Sequence, residues 1–276
     1  SGEKINDPGR SLWSGLEDAT LRPVSSIIEE VRSEARLIRT FRLDRDLGPK
    51  PGQYLMLWIR GVDEIPMSFS GPSSITVQSV GQATEALFKM SAGSSVGLRG
   101  PLGNGFTLKG ERILLIGGGV GSAPLAFLGE KARSKGLTVT SLLGFRSKED
   151  IIFQERFEAL GQVLITTDDG SYGIAGRASA GLKELSLFDF DQIYICGPEM
   201  MMWDVISRTR EHGAKTQACI NRYFKCAAGI CGSCCLDPDG TRVCLEGPVI
   251  TADRLLESEF GRYRRGPTGE KGPCRG

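Results

Sequence analysis

The chain has 276 residues, 40% of them hydrophobic, and 34 Lys and Arg against 33 Asp and Glu, a formal net charge of +1. That length suits two domains with a small appendix, and the balanced charge excludes the basic face that a nucleic-acid binder needs. No apolar run is long enough to span a bilayer, so no membrane partner is expected. Eight cysteines behind an N-terminus without secretory character predict reduced thiols and a cytoplasmic location.

Residues 1–20 are polar, rich in Ser, Gly and Asp, and are expected to form a disordered tail. Over 21–108 short alternating runs are broken by Gly, Pro and Ser, with strands predicted at 27–31, 38–43, 54–59, 74–80 and 86–90. Evenly spaced strands with turn signals predict a small antiparallel barrel, closed by the glycine-rich loop Gly100-Pro101-Leu102-Gly103-Asn104-Gly105-Phe106. Over 109–212 the rhythm becomes strand, helix, strand. Strands are predicted at 112–116, 139–145, 163–167 and 192–196, and helices after the first strand, near 153–160 and over 200–212. That alternation predicts an α/β domain with a parallel sheet. Residues 213–260 form a small cysteine-rich module, and 261–276, rich in Gly, Pro and Arg, are expected to be a flexible tail. The fold class is therefore an antiparallel barrel, then a parallel-sheet α/β domain, then the module.

Gly117, Gly118, Gly119 and Gly121 lie between a buried strand and a helix. There glycine lets backbone N–H groups at the helix start approach a pyrophosphate, which the helix dipole also favours; a plain tight turn is the alternative. Ile195-Cys196-Gly197-Pro198-Glu199-Met200 closes another parallel strand. Ligands of open α/β sheets bind beyond the carboxyl ends of the strands, so one dinucleotide would touch both loops.

Cys226, Cys231 and Cys234 stand in C-x4-C-x2-C order, with Cys244 following after a short turn. This is the spacing of plant-type [2Fe–2S] ligation, and Gly229 and Gly232 supply the positive φ angles such a loop needs. A structural zinc site also takes four thiolates, but usually as separated C-x2-C pairs. A disulfide framework fits poorly, because Cys196, Cys219 and Cys274 are scattered. Cys235, beside Cys234, is a competing ligand that the x2 spacing disfavours.

The succession of barrel, glycine loop and Cys-Gly-Pro resembles the ferredoxin–NADP reductase superfamily over about residues 22–212. The resemblance implies FAD on the barrel and a pyridine nucleotide on the α/β domain. The family's Arg-x-aromatic-Ser flavin motif is matched by Ile65-Pro66-Met67-Ser68-Phe69-Ser70, which keeps the serine and lacks the arginine. The implied flavin residues are Pro66, Met67, Ser68 and Phe69, with Gly81 and Thr84 offering amide and hydroxyl donors and Gly100 and Gly103 alongside. The implied nucleotide residues are Gly117, Gly118, Gly119, Gly121, Cys196, Gly197 and Pro198, with Cys196 near the nicotinamide. Arg146 and Ser147 lie where an adenine-ribose phosphate would be read.

The stretch from Asn221-Arg222-Tyr223-Phe224-Lys225-Cys226 to Cys244-Leu245-Glu246-Gly247-Pro248 narrows the likeness. It closely resembles the dihydroorotate dehydrogenase electron transfer subunits, particularly the archaeal form. The resemblance implies bound FAD and a [2Fe–2S] cluster, NAD(H) as substrate, and an FMN-containing catalytic subunit as partner in a heterotetramer of pyrimidine biosynthesis. Electrons would pass from dihydroorotate through FMN, cluster and FAD to NAD+. No base for dihydroorotate is then expected here, and His212 reads as a helix C-cap. Met200, Met201 and Met202 read as core, Trp58 and Trp203 as packing, Trp13 as part of the tail, Asp168 and Asp169 as a turn, and Cys274 as a free thiol. One rival is a subunit of another NAD(P)H/ferredoxin, sulfur or hydrogenase flavin–iron–sulfur oxidoreductase. The other is a zinc-stabilised binding module.

Overall fold

The computed structural model describes residues 22–210 and 215–274. The tail expected over 1–20, with Trp13, and the C-cap expected at His212 lie outside the described residues. Strands β1 (Val24–Ala35), β2 (Ile38–Leu43), β3 (Tyr54–Ile59), β4 (Asp63–Gly71), β5 (Ser74–Gln78) and β6 (Ser95–Leu102) close an antiparallel barrel in the order β1-β2-β5-β4-β3-β6. Closure leaves no unpaired strand edge. Strand β3 shows how the barrel joins the rest. Tyr54, Leu55, Met56 and Leu57 are all buried, yet successive side chains face opposite ways. Leu55 and Leu57 fill the barrel with Phe41, Phe69 and Leu98, whereas Tyr54 and Met56 enter the core shared by the sheet and the cysteine module.

The strand expected at 86–90 is instead part of helix α1 (Gln82–Phe88), which buries Leu87 against the barrel core. Its sequence Gln-Ala-Thr-Glu-Ala-Leu is made mostly of helix formers, and Thr84 ties its first turn. Strands β4 and β6 were hidden in the sequence by Pro66, Gly97 and Gly100. Pairing of both with β3 overrides those local signals.

Strands β7 (Arg112–Gly118), β8 (Thr138–Phe145), β9 (Gly161–Thr167), β10 (Ile174–Ala175), β11 (Gln192–Cys196) and β12 (Lys215–Cys219) form a parallel sheet. Helix α2 (Ser122–Ser134) and the short α3 (Gln154–Glu158) cover one face, and α4 (Ala178–Gly181) and α5 (Glu199–Thr209) the other. Covering both faces explains the near-continuous apolar strands such as Ile113–Ile116.

The module contributes β13 (Cys235–Leu236), β14 (Thr241–Arg242), α6 (Val243–Glu246), β15 (Val249–Thr251) and α7 (Ala252–Glu257). It is not an appendix. Strand β15 pairs antiparallel with β12, Cys219 opposite Val249, and so completes a seven-stranded sheet in the order β10-β9-β8-β7-β11-β12-β15. The segment 215–219, expected to open the module, therefore belongs to the sheet. The flexible tail expected over 261–276 is also corrected through Cys274. Strands β16 (Arg264–Arg265) and β17 (Lys271–Gly272) form a hairpin held to the module, because Arg265 reaches both Asp237 oxygens at 2.9 and 2.8 Å and Tyr263 Oη donates to Asp237 at 2.5 Å. Among the described residues no helix is long and apolar enough to cross a membrane.

Candidate redox site

All eight cysteines are free thiols. The four singled out by spacing come together as two pairs: Cys226 hydrogen-bonds with Cys231, and Cys234 with Cys244. The loop carrying them turns through positive φ at Ala227, Gly229 and Gly232, at 54°, 70° and 73°. At Gly229, with φ of 70°, a Cβ would lie 2.3 Å from Leu245 Cδ1, so a side chain there would be strained and would displace Leu245. Two amides face sulfur: Ala228 N donates to Cys226 Sγ at 3.4 Å, and Cys244 N to Cys234 Sγ at 3.5 Å.

Among the described residues no three Cys, His, Asp or Glu side chains converge as the ligands of one ion. Four free thiols carried by one tight loop and the short helix after it are the donor type and number that a binuclear cluster takes, four thiolates shared between two irons. The donor set thus fits [2Fe–2S]. The thiols are also prepared for ligation. Cys234 is brought down to about 6, its hydrogen bond with Cys244 outweighing burial. Burial raises Cys231, but hydrogen bonds from Ser233 and Cys226 prevail and bring it to about 7. The hydrogen bond with Cys234 and burial together push Cys244 up. Cys235 stands opposite Arg242 in the β13–β14 ladder, and burial and the Cys234 charge raise its thiol. It takes no part in either pair.

The barrel grips this module with residues the sequence did not mark. Tyr54 Oη donates to the Cys244 carbonyl at 3.0 Å, and its ring lies 4.7 Å from that of Phe224. Arg99 bonds Glu64 through Nε at 2.7 Å and Nη2 at 2.8 Å, and reaches the Cys226 carbonyl at 3.3 Å. An open recess of about 600 Å³ beside Cys226 is lined by Pro23, Trp58, Glu64, Arg99 and Lys225. Trp58 is thus half-exposed at this recess rather than packed inside. A second buried tie joins module and sheet. Arg222 bonds Glu199 at 2.9 and 3.2 Å and Glu259 at 3.2 Å, and all three are at most 7% exposed. Position 222, four residues before Cys226, was legible as part of the module but not as an ion-pair partner.

On the barrel, Pro66, Met67 and Ser68 are half-exposed and Phe69 is buried. Ser68 stands directly opposite Tyr54 in the ladder. At Gly81 nothing lies within 4 Å of where a Cβ would be, so the chain there is open to a ligand. The Thr84 hydroxyl is committed locally, donating to the Gly81 carbonyl and accepting from the Val80 and Gly81 amides. A half-open strand beside an open helix start fits a flavin with its phosphates. Gly100 and Gly103 are closely packed positions. A Cβ at Gly103 would lie 2.5 Å from the Gly247 carbonyl oxygen, and Asn104 N donates to that same oxygen at 2.5 Å. This loop seals the barrel against the module.

At the sheet edge β7 and β11 are neighbours, Gly117 opposite Cys196, so the two glycine loops do meet. A Cβ at Gly121 would lie 2.6 Å from Gly197 Cα, and one at Gly118 would lie 2.5 Å from Met201 Sδ. Gly119, with φ of 51°, has nothing within 4 Å, and α2 begins three residues later. An open backbone turn at the start of a 13-residue helix fits a pyrophosphate. Ser122 Oγ, buried at that start, has no hydrogen-bond partner among the described residues and was missed by the sequence reading. The Cys196 thiol faces Cys219 on the adjoining strand, and that hydrogen bond and burial raise it well above the ordinary thiol value.

The remaining candidates lie outside these two loops or in their packing. Ser147 Oγ donates to Asp150 at 3.1 Å, and Asp169 accepts from Ser171 at 2.9 and 2.6 Å, as a turn requires. Arg146 and Asp168 are exposed. Met202 is core and Met201 packs on the glycine loops, while Trp203 lies under Gly261.

A family model for the iron–sulfur cluster binding domain of dihydroorotate dehydrogenase B matches residues 221–256. A protein of Methanocella arvoryzae named as a probable dihydroorotate dehydrogenase B (NAD(+)) electron transfer subunit is 54% identical over 255 residues, covering 91% of this chain and 99% of that one. A protein of Methanocaldococcus jannaschii with the same name is 41% identical over 252 residues, covering 91% and 98%. Among solved structures, one of an NADH-dependent reduced ferredoxin–NADP oxidoreductase superposes with a TM-score of 0.75 at 26% identity, covering 84% of this chain and 91% of that one. The FAD/NAD binding domain of a nitric oxide dioxygenase from Vibrio cholerae shares the fold, with a TM-score of 0.62 at 24% identity, covering 69% and 93%. With the thiol pairs, barrel and nucleotide sheet in place, the chain belongs to the family of dihydroorotate dehydrogenase B electron transfer subunits, oxidoreductase components that use FAD, [2Fe–2S] and NAD.

Proposed function

We propose that this chain takes electrons from an FMN-containing catalytic subunit that oxidises dihydroorotate, and delivers them to NAD+ within a cytoplasmic heterotetramer of pyrimidine biosynthesis. The observation that carries this reading is the two-and-two pairing of Cys226 with Cys231 and Cys234 with Cys244, in a module joined to both barrel and sheet. When bound, the flavin exchanges single electrons with an iron–sulfur cluster and pairs with a nicotinamide.

The protein's part is placement. The four thiols hold the cluster, and Cys231, the exposed member, marks the side open to the partner. Pro66, Met67, Ser68 and Phe69 border the flavin ring, and the open chain at Gly81, braced by Thr84, takes its phosphates. Gly100 and Gly103 contribute by letting barrel and module close on each other. Gly119 and the start of α2 receive the nucleotide pyrophosphate, while Gly117, Gly118 and Gly121 let Cys196, Gly197 and Pro198 approach as the nicotinamide border. No group here is assigned to abstract a proton from dihydroorotate.

Identity of 54% to a dihydroorotate dehydrogenase B subunit, against 26% to the ferredoxin–NADP oxidoreductase, favours this partner over the rival one. The test mixes the purified protein with its FMN subunit. Dihydroorotate should then reduce NAD+, and deuteride from C4-labelled NADH should reach the bound flavin. If only ferredoxin supports NAD+ reduction and dihydroorotate never does, the rival reading replaces this one.

A further inference from the structure

One ligand from each thiol pair has its backbone carbonyl held by a side chain of the barrel. Cys244 is held by Tyr54 at 3.0 Å, and Cys226 by Arg99 at 3.3 Å. Both donors are buried, Tyr54 at 2% exposed and Arg99 at 7%. Both come from paired strands, β3 and β6, and Tyr54 is also the ladder partner of Ser68 on the flavin strand. One residue therefore links the strand assigned to the flavin with a ligand assigned to the cluster, through one ladder position and one hydrogen bond.

We infer that Tyr54 is a positioning residue that tunes the [2Fe–2S] reduction potential, with Arg99 doing the same at the second carbonyl. This rests on the ligand assignment above. The Cys244 carbonyl is buried beside its thiolate, and its oxygen is the negative end of a dipole. The phenol O–H directed at that oxygen offsets part of its negative potential where an added electron would reside. Removing the O–H leaves a buried acceptor unpaired and makes the cluster harder to reduce. Water cannot readily replace it, because Cys244 is 1% exposed. The Arg99 guanidinium is neutralised by Glu64, so it too acts by directing donors at a carbonyl rather than by adding net charge.

The test is Tyr54→Phe in the full holoprotein, with the cluster titrated by EPR and the flavin by absorbance. The expected result is full iron and FAD content, an unchanged flavin midpoint, and a cluster midpoint lowered by three- to tenfold in its reduction equilibrium, tenfold being about 59 mV for one electron. Phe224→Leu, which removes the ring contact but keeps the hydrogen bond, should leave the cluster midpoint in place. An unchanged midpoint in Tyr54→Phe, or an equal shift in both variants, overturns the inference. If Tyr54→Phe does not retain iron, Arg99→Lys is titrated instead, and an unchanged midpoint there rejects it. Wild-type protein lacking a [2Fe–2S] EPR signal would reject the ligand assignment itself, a different and separable result.

Discussion

At the nucleotide edge of the sheet, Gly117, Gly118 and Gly121 are pressed between Ser122, Met201 and the Cys196–Pro198 turn, so the site is shaped by what surrounds its backbone. In the cysteine module the reverse holds. Its elements are two to six residues long, and the four cysteines are placed by left-handed turns at Ala227, Gly229 and Gly232 and by bonds from other parts of the molecule. Strands and helices packed on both faces of the sheet therefore hold its nucleotide edge. The module is held by a few buried polar ties and, on the proposed reading, by its cluster. Sites of the first kind should fail by losing affinity, and sites of the second by losing their metal.

The largest effect should come from the module's ligands. Replacing Cys234 or Cys244 with Ser removes one thiol from a pair, and iron content should fall to near zero with loss of the cluster's visible absorption. Cys235→Ser should keep both. Iron loss in Cys235→Ser instead would show that it replaces Cys234 as ligand.

Next in size is the tie between the two regions. Arg222→Ala would strand the Glu199 and Glu259 carboxylates, both at most 7% exposed. Breaking such a buried pair costs about 3–5 kcal/mol, so the denaturation midpoint should drop sharply. Glu199 opens α5 and Glu259 accepts the Asp237 amide at 2.8 Å, so sheet and module should melt together. Early melting of the module alone would mean that the tie is local.

A smaller and more selective loss is expected at the sheet edge. In Gly121→Ala the new Cβ would meet Gly197 Cα at 2.6 Å and the Cys196 carbonyl carbon at 2.7 Å, both backbone. The two loops must part, at about 1–3 kcal/mol for a forced overpacking, and the KM for NADH should rise by about tenfold. Iron and FAD content should stay at wild-type levels. Loss of iron in this variant would erase the distinction between the two kinds of site.

What the sequence disclosed follows the same divide. The cysteine loop was legible because Cys226, Cys231 and Cys234 lie within nine residues, in the spacing of plant-type [2Fe–2S] ligation. The meeting of the glycine loops was legible because parallel strands present their carboxyl ends at one edge. Tyr54 and Arg99 were not, since each looks like an ordinary strand residue, and their partners Cys244 and Cys226 lie 190 and 127 positions away. The packing of Gly103 against Gly247 and Pro248 was not legible, because a glycine required by a ligand and one required by packing look identical in sequence. Helix α1 read as a strand because seven residues are too few to show a helical period, and its helical start rests on the Thr84 hydroxyl.

The C-terminal hairpin sharpens the comparison at its weakest point, where the module is held from outside through one carboxylate, by a phenol hydrogen bond and an ion pair. Hydrogen bonds from Tyr263 and Arg265 hold the Asp237 carboxyl below its ordinary value of 3.8. A carboxyl lowered by folding stabilises the folded form above its unfolded value, and that contribution is lost as the pH falls through the lower, folded value. Docking of the hairpin should therefore be complete at neutral pH and weaken only below 3.8. The amide of Gly266, which donates to the Glu270 carbonyl at 2.8 Å, reports this through hydrogen exchange. In Asp237→Asn its protection at neutral pH should drop by about two- to fivefold, and the acid dependence should vanish. The cluster spectrum should not change, because Asp237 bonds neither a thiol nor a ligand carbonyl. Acid-dependent exchange that persisted in the Asn variant would transfer the role to Glu270, whose carboxyl is likewise lowered, by the Thr268 hydroxyl.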